Sequence, residues 1–130
     1  MTKTTRKISV TRGLVELKTL SDRIGRAIGQ GTFVSTVVGH GTQRKSVDFP
    51  SVTDLENKIK GSFDSVNALI LEREKIKSAI VLSNATTMVQ LMNRTMTVAE
   101  AIELKTTVDF RTSYLNTLRL QLMQARSKVT

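Results

Sequence analysis

The sequence predicts a mainly α protein, a three-helix antiparallel bundle with a long central helix, a β-hairpin between helices 1 and 2, and a short strand or hairpin between helices 2 and 3. Three observations carry that reading. From Ser51 to about Leu82 no internal breaker occurs, and Val52, Leu55, Ile59, Ser62, Val66, Leu69, Arg73, Ile76 and Ile80 recur at 3,4 spacing as one helical seam. Two further segments carry seams of the same kind. The chain also has no Cys, no Trp, one Tyr and four Phe, so its core must be aliphatic, a palette that suits helix seams. At 130 residues it is read as a single helical domain.

Residues 1–8 form a basic arm with Lys3, Arg6 and Lys7 and no apolar anchor before Ile8. Ser9 is an N-cap candidate, and Val10, Leu14, Leu17, Ser21, Ile24 and Ile28 predict a first helix over about 10–28, ended by Gly29-Gln30-Gly31. The β-branched run Thr32–Val38, the turn Gly39-His40-Gly41 and the return to Phe49 predict a hairpin over about 32–49. Pro50 stops what precedes it. Ser51 or Thr53 can cap the central helix, over about 52–82, and Asp54 and Glu56 suit the positive end of its dipole. At 1.5 Å per residue that helix spans roughly 45 Å, too long to bury its seam without partner helices.

Thr86–Met92 has strand propensity, with a turn expected at Asn93-Arg94. Thr97-Val98-Ala99-Glu100 is a capping box that opens a third helix over about 98–126, whose seam is Ala101, Leu104, Val108, Arg111, Leu115, Leu118, Leu122 and Ala125. Helices 1 and 3 begin alike, and both contain Glu-Leu-Lys-Thr, at Glu16–Thr19 and Glu103–Thr106. A pseudo-symmetric pair flanking the central helix is the structural reading.

The net charge of +9 resides at the ends. Residues 1–45 carry nine Lys or Arg against two acids, residues 46–109 seven against nine, and residues 110–130 four against none. Such a surface meets acidic protein, nucleic acid or an acidic membrane face. The hairpin tip and arm are therefore expected to bind a partner through Lys3, Arg6, Lys7, His40, Arg44 and Lys45. Candidate nucleic-acid contacts are Arg12, Arg23, Arg26, Arg119, Arg126 and Lys128.

For catalysis the sequence offers no P-loop, no dinucleotide turn, no paired His and no nucleophile elbow. A lone His without Cys or a neighbouring acidic cluster lacks metal or triad partners, so no cofactor and no metal site are expected. The carboxylates fit i,i+3 and i,i+4 pairs with Lys on exposed helix faces, as Glu72–Lys75 and Glu56–Lys60 do. No apolar run reaches the roughly 18 to 20 residues of a membrane span, and residues 1–12 lack a signal-peptide core.

The segments TRGLVELKTLSDRI, the central helix leading into SNATT, and TMTVAEAIELKTTVDFRTSYLNTLRLQL together resemble septicolysin-related small helical proteins over about two thirds of the chain. That resemblance implies a helical fold and, by the family's name, a lytic activity; it carries no functional residue across. In style the chain is also similar to small accessory virion proteins of tailed bacteriophages. The expectation is a non-enzymatic structural or assembly protein in a virion or host cytoplasm, docking on other subunits as a homo-oligomer or hetero-complex. The alternative is a sequence-independent nucleic-acid-binding protein.

Overall fold

The structure, a computed structural model, describes residues 4–129. It is mainly helical, with three helices and two small antiparallel strand pairs: α1 (Val10–Gln30), β1 (Val37–Val38), β2 (Lys45–Ser46), α2 (Val52–Thr86), β3 (Met88–Leu91), β4 (Arg94–Thr97) and α3 (Val98–Val129). The chain forms two compact units, the first ending at Ile80 and the second beginning at Val81, within α2.

In the first unit both helices start where their caps dictate. Ser9 Oγ accepts the Arg12 amide at 3.1 Å and Ser51 Oγ accepts the Asp54 amide at 3.0 Å, each satisfying an amide that has no partner inside its helix. α1 and this part of α2 run antiparallel, because Gly13 meets Ile80, Ser21 meets Arg73, and Thr32 meets Ser62. Every residue of the expected α2 seam from Val52 to Ile80 is buried or half-buried, while of the other residues in that stretch only Ile70 is. The seam's two polar members both find partners. Ser62 Oγ accepts the Thr32 amide at 3.1 Å, and Arg73 Nε donates to Ser21 Oγ at 3.1 Å.

The face of α1 differs from the expected one. Gly13, Leu17, Leu20, Ile24 and Ala27 face inward, whereas Val10, Leu14, Ser21 and Ile28 are exposed. The reason lies at Gly13, where an added Cβ would stand 3.1 Å from Ile80 Cδ1. The absent side chain makes room for the Ile80 side chain, and the helix turns the face of Gly13, Leu17 and Leu20, not that of Leu14, toward α2. Among the described residues of this unit Leu17, Leu20, Leu55 and Ile80 are the buried side chains, a thin aliphatic core.

The first hairpin is shorter than the run Thr32–Phe49 implies. Only Val37↔Ser46 and Val38↔Lys45 pair as strand, with Val47 N–H donating to the Thr36 carbonyl at 3.2 Å and Ser35 Oγ donating to Asp48 at 3.0 Å beyond them. β-branched propensity is realised only where a cross-strand partner exists, and Val34 is almost fully exposed. Gly39, at φ +97°, has no tolerable substitute, since a Cβ there would lie 2.6 Å from the Gln43 carbonyl oxygen.

In the second unit β3 and β4 form a hairpin in which Leu91↔Arg94 closes a two-residue loop. The loop is Met92-Asn93, one residue earlier than expected, with both residues at positive φ (54° and 62°), the pattern of a type I′ turn. Asn tolerates that conformation; Met does not. Met92→Gly should therefore stabilise the hairpin by about 0.5–1 kcal/mol, read as slower hydrogen exchange of its amides. Among the described residues of this unit Met96 is the buried one, with Val89, Ala101 and Leu104 half-buried. The capping box forms as its sequence dictates: Thr97 Oγ accepts the Glu100 amide at 3.1 Å and Glu100 Oε1 accepts the Thr97 amide at 3.4 Å.

Candidate functional site

The basic arm is tied to its own chain. Arg6 donates through both terminal nitrogens to Glu16, at 2.6 and 3.1 Å, and Arg12 Nε approaches the same carboxylate at 3.5 Å. The Arg6 hydrogen bonds hold the Glu16 carboxyl below its ordinary pKa; desolvation opposes them, and the charges of Arg6 and Arg12 add to them. With Arg12, Arg23 and Glu72, the pair lines an open cleft of about 360 Å³. Ile8 Cδ1 lies over Gly13, so the arm has an apolar contact as well as an ionic one. Arg6 therefore already has an acidic partner within the chain. Lys7 is exposed, and Lys3 lies outside the described residues.

His40, Arg44 and Lys45 are all exposed at the first hairpin's tip. There the Gln43 amide donates to the His40 carbonyl at 3.0 Å, and Arg44 Nε donates to the Gly41 carbonyl at 3.3 Å. The tip thus brings three of the expected partner-binding residues together on one short, backbone-braced turn. Arg12, Arg23 and Arg26 fall on one flank of α1 by helical spacing, interleaved with Glu16 and Asp22, which dilute the positive field there. Arg119, Arg126 and Lys128 belong to α3, where residues 110–129 contain no acid.

Of the three helices, α3 carries the most exposed large apolar residues among those described. Every described residue from Lys105 to Val129 is exposed, including the seam members Val108, Leu115, Leu118 and Leu122. Leu115 and Leu118 are 46% and 45% exposed, although their counterparts at the same 3,4 spacing on α2 are covered. Phe110, Leu120 and Met123 are exposed too, off the seam. Seam reading missed these three, and their only signal is that they are large apolar residues at positions where the pattern calls for polar ones.

The chain matches no protein-family model, no curated protein and no solved structure. Its function must therefore be argued from its own surfaces. Among the described residues no group of three or more His, Cys, Asp or Glu is placed to hold a metal ion, and no helix is long and apolar enough to cross a membrane.

Proposed function

We propose that this chain is a non-enzymatic structural or assembly protein whose third helix completes a bundle by packing on other subunits, with the basic hairpin tip as a second contact. The observation that carries this reading is the exposed seam of α3. A helix in water gains most of its stability from packing one apolar face, and an apolar patch larger than a few hundred Å² marks an interaction site in soluble proteins. α2 has a seam of the same spacing that is buried or half-buried from Val52 to Ile80, so the chain itself illustrates what the α3 seam lacks. A tailed-bacteriophage virion is the setting that the likeness in style suggests.

Chemical cross-linking with mass spectrometry on the assembled material tests the reading, because Lys105 and Lys128 bracket the seam. Links from both lysines to another polypeptide are expected. Links confined to the chain itself would overturn it. The run of residues 110–129, with Arg111, Arg119, Arg126 and Lys128 unopposed by any acid, supports nucleic-acid binding as the second reading. Retention of DNA or RNA on filters that weakens steeply with salt would favour it over the first.

A further inference from the structure

We infer that the α3 seam accepts an acidic amphipathic helix of a different protein, and that Arg111 selects this partner against a second copy of the chain. The inference rests on the assembly reading and names the chemistry of the partner.

Its first ground is periodicity. From Ala101 to Val129 the seam keeps a strict seven-residue repeat, with Val108, Leu115, Leu122 and Val129 at one core position and Leu104, Arg111, Leu118 and Ala125 at the other. A straight helix drifts about 20° per heptad against such a repeat, so a seam held this long belongs to supercoiled packing along another helix.

Its second ground is charge. From Lys105 onward the positions flanking the core carry Lys105, Arg119, Arg126 and Lys128 and no acid, Glu100 ahead of them being taken up in the Thr97 cap, and in coiled coils these flanks decide which partner is accepted. A partner with Glu or Asp along its flanks complements all four.

The third ground comes from the helix pair already closed. There each polar member of the α2 seam is matched, Arg73 by Ser21 Oγ on α1 and Ser62 by the amide of Thr32 just past the end of α1. Arg111 occupies the corresponding kind of position on α3 and is exposed. It requires a hydrogen-bond acceptor at its level, and a carboxylate serves best because it also neutralises the charge. A second copy paired along the length of the seam supplies no such group at that level. Parallel copies would set Arg111 against Arg111, and antiparallel copies in register about Leu115 and Leu118 would set it against Leu122 and bring Lys105 beside Arg126. Both arrangements leave the guanidinium without an acid, which an apolar interface penalises.

The test uses the full chain and two synthetic four-heptad peptides with Leu at both core positions, one with Glu at every flanking position and a Glu in one core layer, the other with Lys throughout. Sedimentation of the chain alone should give a monomer, and the acidic peptide should bind about tenfold or more tightly than the basic one at low salt. Arg111→Leu should shift the chain itself toward dimers. Leu115→Asp with Leu122→Asp should abolish peptide binding, which separates seam docking from diffuse attraction to a basic protein. A wild-type dimer broken by those same two substitutions would overturn the choice of partner while leaving the assembly reading intact. Equal affinity for the two peptides would overturn the acidic assignment. A monomer that binds neither peptide, in material that also yields no cross-links to another chain, would sink both.

Discussion

Leu20→Asp is expected to unfold the first unit, whereas Leu14→Asp is expected to leave it standing. Both residues lie on α1, six apart, and both are leucines. Leu20 is 4% exposed in the contact between α1 and α2, and Leu14 is 51% exposed on the flank. Forcing a carboxylate into the buried site loses an apolar side chain and takes a charge out of water, about 3–5 kcal/mol together. The core here is only a few aliphatic side chains deep, and a domain of this size holds on the order of 5–15 kcal/mol in reserve. Leu14→Asp changes a surface position and should cost within about 0.5 kcal/mol. Thermal melting followed by circular dichroism separates the two. Equal losses would mean that α1 is turned so that both leucines touch α2, and the role given to Gly13 would be wrong.

Leu115→Asp combined with Leu122→Asp should do the reverse, leaving the isolated chain as stable as before and removing it from its assembly. Leu115 is 46% exposed and Leu122 51%, so neither substitution empties a buried site of the monomer. In a docked seam each leucine would contribute about 1.5–3 kcal/mol of burial, so losing both weakens association by about a hundredfold or more even before the cost of burying the carboxylates. Co-sedimentation with the assembled material reads the effect. A fall in melting temperature for the isolated monomer would show that its own fold uses those leucines.

The phase of α2 was legible because its seam is long, continuous and bordered by charge, so a one-sided partner leaves a single consistent reading from Val52 to Ile80. The caps at Ser9 and Thr97 were legible for a local reason, since each needs only residues within one turn; for the central helix the same reasoning left Ser51 or Thr53, and Ser51 takes the role. The face of α1 was not. Val10, Leu14, Leu17, Ile24 and Ile28 make as regular a seam as the true one, and Gly13 and Ala27 do not look like core residues until the neighbouring helix shows how closely it approaches. Propensity overstated the first hairpin for a similar reason, because Thr32–Val38 favours extended backbone but pairing ends after two residues on each strand.

The arm's tie to Glu16 was equally hidden. It joins residues ten apart across a change of direction before Ser9, which neither periodicity nor capping encodes. Of the proposed site, the seam of α3 and its basic flanks could be read from spacing and charge alone. That this seam is uncovered could not, because exposure is a property of what the rest of the chain does.

Hydrogen exchange on the isolated monomer, compared with the same protein in its assembly, tests the docking role of α3 most directly. In the monomer the amides of α1 and of α2 up to Ile80 should be protected, and those from Lys105 to Val129 should exchange rapidly, since a helix with no packed face frays easily. In the assembly the same stretch should become protected, most strongly from Val108 to Leu122. Protection of Lys105–Val129 equal to that of α1 in a verified monomer would contradict the proposal, because the third helix would then be closed by its own chain and would have no seam to offer a partner.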